Sequence, residues 1–288
     1  YAMTLQADGK ILAGGVFSNA SGSPHSNLAR LNPSGAVDPS FQGDLNAVPS
    51  AIVAQTDGKI LVGGSFSLAG GASRAGLARL GSDGTPEPDF QPMVEGTVLA
   101  LSLQSDGKIL VGGAFITVGD FPRPVFARLR NGPATETLSA PSSSRVEWLR
   151  GGTAPESTRV EFELSTDQGG SYTTLGSATR IASGFELDGL SLPASGHIRA
   201  RARIPSARQG GSSGLVESVA AFGVTDVPEI SVSGNGVDIV SGDSTPSAVD
   251  HTDFGSANIA DQTVVRTFTI LNTGVGNLGL GAVSLSGP

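Results

Sequence analysis

Gln55-Thr56-Asp57-Gly58-Lys59-Ile60-Leu61-Val62-Gly63-Gly64-Ser65-Phe66 decides the fold of this chain, because it recurs at a fixed interval. Gln104-Ser105-Asp106-Gly107-Lys108-Ile109-Leu110-Val111-Gly112-Gly113-Ala114-Phe115 lies 49 residues downstream, and Gln6 to Phe17 lies 49 upstream. Each copy runs on to Ala-Arg-Leu, at Ala29-Arg30-Leu31, Ala78-Arg79-Leu80 and Ala127-Arg128-Leu129. The only lysines, Lys10, Lys59 and Lys108, fall one per copy at the same place. Self-similarity of this period is the signature of a repeat architecture.

Each copy reads as antiparallel strands. In the third, Leu99, Leu101 and Leu103 alternate with Val98, Ala100 and Ser102, Asp106-Gly107 is expected to make a tight type I′ turn, and Lys108-Ile109-Leu110-Val111 returns. The paired glycines mark a bulge or a crowded strand end, and Leu77-Ala78-Arg79-Leu80 reads as a further strand. A hairpin plus one or two further strands cannot bury its own faces, so the copies must pack side by side, as propeller blades do. This pattern resembles the delta-60 repeats of large bacterial surface and secreted proteins, which are considered β-propeller blades. The resemblance covers residues 1–131 and implies a cell-surface or extracellular setting, but no activity. Three copies are fewer than a closed propeller holds. The ring is therefore expected to be completed by further blades or by another chain.

Composition agrees with an all-β fold. Gly (41) and Pro (17) make up about one residue in five, which disfavours helix interiors. Charged residues are 15 %, well under the usual quarter, with a net charge of -8 and a pI near 4.8. An acidic surface argues against nucleic acid or an anionic membrane as the partner. With no cysteine there is neither a disulfide framework nor a thiolate nucleophile. No stretch is long and apolar enough to insert in a membrane.

After Asn131 the period vanishes, and Gly132 to Ser144, rich in Pro, Ser and Thr, reads as a linker. Strands follow at Arg145–Arg150, Arg159–Leu164, Ser171–Leu175, Thr179–Leu192, His197–Ile204 and Leu215–Phe222. They suggest an immunoglobulin or fibronectin type III sandwich over 132–226, with Trp148 as core anchor. A third module spans 227–288. There Asp253-Phe254-Gly255, Arg266 to Gly274 and Leu278 to Pro288 resemble part of the choice-of-anchor D type of immunoglobulin-like domain of bacterial surface proteins. The expected fold is all-β: propeller-type blades, then immunoglobulin-like sandwiches. Unpaired sheet edges are expected to be completed by neighbouring chains, giving a fibre or sheath.

Chemistry is harder to find. Arg30, Arg79 and Arg128 sit in apolar strands, and Asp38 and Glu87 follow the first two by eight residues, which reads as a repeated structural salt bridge. The lysines read as solvated turn residues. A ligand, for example a glycan, is expected in the segments that differ between copies, 18–25, 67–74 and 116–123, with His25, Arg74 and Arg123 as contacts. His25 and His197 otherwise read as surface residues. Arg199, Arg201 and Arg203 line one face of a strand and suggest a polyanion, although Glu161 and Glu163 offer cross-strand partners. Asp250 and Asp253 read as weak candidate ligands for calcium, and no other cofactor is expected.

Gly210-Gly211-Ser212-Ser213-Gly214 lacks the strand and helix of a nucleophile elbow, and Gly274 to Gly279 lacks the helix of a dinucleotide site. Asp253-Phe254-Gly255 has no accompanying kinase elements. No enzyme is expected. The chain reads as a structural or adhesive segment whose partners are neighbouring copies or other surface-protein chains, with carbohydrate binding as the alternative.

Overall fold

The computed structural model describes residues 2–204, 214–224, 230–256, 263–272 and 278–281. It is all-β, with no helix among those residues. The chain forms two compact units. One holds the repeats and most of the chain to Phe222, and the other is built mainly from Gly223 onward.

Each repeat is built on a three-stranded antiparallel sheet with the strand after the Asp-Gly turn in the middle, and in the third the short strand Phe121–Pro122 adds a fourth. The first uses Ala2–Leu5, Ile11–Gly14 and Leu28–Leu31; the second Pro49–Ala54, Ile60–Gly64 and Leu77–Leu80; the third Val94–Leu103, Ile109–Val118 and Phe126–Leu129. The hairpin turn differs from the type I′ expected. Only its glycine has positive φ, at 79°, 80° and 81° for Gly9, Gly58 and Gly107. The glycine N–H donates to the glutamine carbonyl three residues back, and the glutamine N–H donates to the lysine carbonyl. This is a three-residue loop, a type I turn closed by a left-handed glycine. Asp8, Asp57 and Asp106 stay in ordinary backbone because each carboxylate accepts the lysine N–H two residues on, at 3.1 Å.

The sheets stack face on face. Leu12, Leu28, Phe41 and Leu45 of the first repeat share a core with Ile52, Ile60, Val62 and Leu80 of the second. The other face of the second supplies Val53, Leu61, Leu77 and Phe90 to a core shared with Val98, Leu101, Ile109 and Val111 of the third. Each such side chain contributes about 1.5–3 kcal/mol on burial.

The glycine pair serves two different needs. At the first position, a Cβ on Gly14 would lie 2.5 Å from Pro49 and 2.9 Å from Ile52, and one on Gly63 would lie 2.5 Å from Val98 and 3.1 Å from Leu101. These glycines are slots into which the next repeat packs. At the second position, a Cβ on Gly64 or Gly113 would strike the carbonyl oxygen of Val48 or Thr97, at 2.6 and 2.2 Å. That crowding comes from β-bulges around Ser50 and Leu99, opposite each glycine pair. The bulge also breaks the expected alternation. Leu99 is exposed, while Val98, Leu101 and Leu103 point inward.

The region after Asn131 forms two four-stranded antiparallel sheets. One orders Ala134–Ser142, Arg145–Gly152, Gly184–Leu187 and Thr179–Ile181; the other Thr173–Ser177, Arg159–Ser165, Ser195–Ile204 and Gly214–Gly223. Trp148 is fully buried, as are Phe162, Ile198 and Ala200. Two expectations fail here. The stretch read as a linker is largely the edge strand Ala134–Ser142, a place that tolerates Pro141 because an edge residue needs no inward N–H. Thr179–Leu192 is a short hairpin rather than one strand, turning through 182–183 into Gly184, whose missing Cβ avoids the Trp148 carbonyl oxygen.

The composition shift after Asn131 is no break in packing either, since residues on both sides belong to one unit. Gln55 bridges Pro155, Thr56 and Asp57 donate from their N–H groups to the Ala154 and Gly152 carbonyls, and Glu156 donates to Ala54. The other unit carries a three-stranded antiparallel sheet with Ile230–Gly234 between Val237–Asp238 and Phe268–Asn272.

Candidate functional site

The repeated arginines are clamps. Arg30, 5 % exposed, donates from Nε to Asp38 at 2.9 Å, from Nη1 to the Ser82 carbonyl of the next repeat, and from Nη2 to Ser40, with its guanidinium 4.8 Å from the Phe41 ring centre. Arg79 repeats this arrangement with Glu87, Asn131 and Phe90. The salt bridges eight residues apart are therefore present in the first two copies. The lysines are not merely solvated: Lys10 Nζ reaches Asp38 at 2.9 Å and Lys59 Nζ reaches Glu87 at 2.7 Å. Hydrogen bonds from Lys10 and then Ser40 hold the Asp38 carboxyl well below the usual carboxylate range. Burial works to raise Glu87, yet Lys59 and Arg79 together hold it down. In the third copy Arg128 is exposed and Lys108 pairs with Asp106 of its own turn.

Between the first and second repeats, at their turn ends, lies a cleft of about 310 Å³ lined by Gln6, Lys10, Arg30, Gln55, Thr56 and Ser82. The same place between the second and third repeats is filled. There Asn131 Nδ2 donates to Gln55 Oε1 at 3.2 Å and to the Gly107 carbonyl at 3.0 Å, while Asn131 Oδ1 accepts from Arg79. Ser82, 49 residues before Asn131, is too short for either donation, and Gln6 Oε1 is buried without a partner. The cleft is thus a polar gap left by one short side chain.

His25, Arg74 and Arg123 occupy one repeat position but not one surface. His25 is buried, with Nδ1 3.2 Å from Asp44, which corrects its reading as a surface residue. Arg74 is buried too and donates to the Ser73 and Glu87 carbonyls. Only Arg123 is exposed, beside the exposed Phe121 at 5.9 Å. A ligand on this face would meet Arg123 and not its two counterparts.

The arginine row of the two-sheet region is largely matched. Glu161 and Glu163 lie directly opposite Arg201 and Arg199. Arg199 ion-pairs with Glu163, which raises its pKa, and stacks 3.9 Å from the Tyr172 ring centre. Arg201 lies 3.3 Å from Glu217 and 3.7 Å from Glu163. Arg203 faces Arg159 across the sheet, and both line an open groove of about 320 Å³ with Glu161 and Leu215.

Sequence reasoning missed a buried ionic knot in this region. Glu156, 3 % exposed, takes two donations from Arg180, and neighbouring Arg150 donates to Ser157 Oγ at 2.8 Å and stacks 4.5 Å from the Trp148 ring centre. Burial pulls the Arg150 pKa down. No periodic signal marks these residues, because they come from one loop and two strands.

Asp250 accepts from the N–H and hydroxyl of Thr252, which lowers its pKa, and Asp253 accepts from Gly255 N–H. Both close local turns. Among the described residues no three His, Cys, Asp or Glu side chains come together as a metal site. Phe254 of the Asp-Phe-Gly stretch packs against Phe268, ring centres 6.4 Å apart. Ser212 lies outside the described residues, as does most of Gly274 to Gly279. Among the described residues no helix is long and apolar enough to cross a membrane.

A family model described as "Domain of unknown function (DUF5122) beta-propeller" matches residues 6–41, 55–90 and 104–131, one match per repeat. No curated protein and no solved structure matches the chain.

Proposed function

We propose that this chain, whose residues 6–131 carry repeats of a β-propeller domain, is a non-enzymatic structural and adhesive segment of a larger modular surface protein of bacterial type. The observation that carries this reading is how the repeated ionisable residues are used. In the first two repeats arginine, lysine and acid close on one another and on the neighbouring sheet, so that the constant positions hold the stack together and have no spare valence for catalysis. Differences between copies concentrate in 18–25, 67–74 and 116–123, where a rigid frame displays variable surface. The purified chain is expected to show no turnover of ester, glycoside or peptide substrates. Turnover abolished by Ser212→Ala or His251→Ala overturns the reading.

A second reading, carbohydrate binding, is favoured by the exposed Phe121 ring beside Arg123 in one variable loop. A flat apolar face next to a guanidinium suits the apolar face and hydroxyls of a sugar. Glycan-array binding lost in Phe121→Ala would select it, and a blank array would remove it.

A further inference from the structure

One junction between repeats is a copy of the other with a single group missing. Between the second and third repeats the Asn131 carboxamide is a plug: its Nδ2 donates to Gln55 Oε1 at 3.2 Å and to the Gly107 carbonyl at 3.0 Å, and its Oδ1 accepts from Arg79. Between the first and second repeats the counterparts Gln6, Gly58 and Arg30 line the cleft of about 310 Å³, and Ser82 holds the sequence position of Asn131. Arg30 donates to the Ser82 backbone carbonyl instead, and Gln6 Oε1 is buried with no donor. A buried polar group left unmatched costs about 1–3 kcal/mol, which a ligand able to donate to it recovers.

The lining selects that ligand by charge and by hydrogen-bond type. Lys10 and Arg30 bring positive charge and Asp8 a carboxylate that is 55 % exposed, so a ligand carrying either charge alone meets its like. Lys10 Nζ lies 2.9 Å from Asp38 and 3.8 Å from Asp8, and the three N–H groups of an ammonium leave one for a ligand oxygen. Gln6 Oε1 and the Gly58 carbonyl only accept. A neutral group that donates twice from one atom and accepts on the next meets all of these, and a primary carboxamide is such a group. The volume is at the lower end of the roughly 300–1,000 Å³ of small-molecule pockets, room for one amino acid and not for an oligosaccharide.

We infer that this cleft binds a primary carboxamide of asparagine size, its NH2 group donating to Gln6 Oε1 and the Gly58 carbonyl and its oxygen accepting from Lys10. The ligand takes the place that Asn131 fills one repeat later. Its source is free asparagine or an asparagine side chain on a peptide. The site goes beyond the scaffold reading, since it lies on the constant positions of the repeat and not in the variable segments.

Ligand-observed NMR titration of the whole chain tests this with Nα-acetyl-asparagine methylamide as the probe. The probe should bind at one site, and its aspartate analogue, which cannot donate to Gln6 and meets Asp8, should bind at least about tenfold more weakly. Ser82→Asn, which supplies the plug from within the chain, should abolish binding while keeping the circular dichroism of the parent. Asn131→Ser, which opens the other junction, should add a second site with the same preference. The comparison of parent with Ser82→Asn decides the matter whether or not Asn131→Ser folds. Free asparagine binding more tightly than the probe identifies the amino acid as the ligand, and the reverse order identifies a peptide side chain. No binding by the parent at millimolar probe, equal binding of the aspartate analogue, or binding retained in Ser82→Asn overturns the inference. Each of these leaves the scaffold reading standing, because that reading is tested by turnover.

Discussion

At the scale of single residues, the stability of the stack depends on charges that must stay charged. The Asp38 carboxyl is held below its ordinary value of 3.8 by Lys10, Ser40 and Arg30, so its folded-state affinity for protons is lower than that of the unfolded chain. Its contribution is complete above the ordinary carboxylate value and is lost as pH falls toward the depressed one. Asp38→Asn should therefore lower stability in urea at neutral pH. The gap between variant and parent should close as pH falls below about 4. A gap independent of pH would mean that Asp38 acts by shape alone. The opposite intervention is available at Ser82, where the clamp lacks the side chain that Asn131 supplies one repeat later. Ser82→Asn should give Gln6 Oε1 its missing donor, fill part of the 310 Å³ cleft and raise stability by about 1 kcal/mol in urea titration. No gain, or a loss, would show that water already satisfies Gln6.

At the scale of the strand and turn, the glycine pair separates two causes that a sequence cannot tell apart. Gly63→Ala places a methyl 2.5 Å from the Val98 side chain, which has some room to shift, and should cost about 1–3 kcal/mol. Gly113→Ala drives one into the Thr97 carbonyl oxygen at 2.2 Å, which is backbone fixed by the ladder, and should cost at least as much. Gly112→Ala meets only Ala100 at 3.8 Å and should be neutral or gain a few tenths of a kcal/mol from reduced backbone freedom. Equal costs at all three positions, measured by denaturant midpoints, would mean that the slots are not formed by neighbouring repeats.

The period of 49, the strands and the Arg–acid pairs were legible because each is a local pattern repeated in register. The turn type was not, since Asp-Gly is compatible with both a type I′ turn and a type I turn with a bulge, and the choice rests on one carboxylate hydrogen bond. Nor were the roles of Lys10 and Lys59, whose partners lie 28 residues away, or of Asn131, whose partners Gln55 and Arg79 belong to the preceding repeat.

At the scale of the larger unit, composition and packing disagree about where a boundary falls. The repeat ends near Asn131 and the text of the sequence changes there, yet the backbone ladder from Ala54 to Asp57 onto 152–156 ties the second repeat to the two-sheet region. Thr56 adds a hydroxyl donation to the Gly152 carbonyl at 3.0 Å, and Thr153 crowds Gly107 so closely that a Cβ on that glycine would lie 2.0 Å from its hydroxyl. Backbone bonds across a junction couple the stabilities of the parts they join, because neither side can unfold without leaving buried N–H and C=O groups unpaired. The fluorescence of Trp148, which reports only the two-sheet region, and far-ultraviolet circular dichroism, which reports the repeats as well, should therefore give coincident unfolding midpoints. Replacing Thr56 by Pro removes the N–H that donates to the Ala154 carbonyl and the hydroxyl that donates to the Gly152 carbonyl, and it should separate the two midpoints while leaving each transition intact. Midpoints already apart in the unaltered chain would show that the sequence boundary after Asn131 is also a boundary of cooperativity, and that the ladder onto the second repeat is a contact between independent parts.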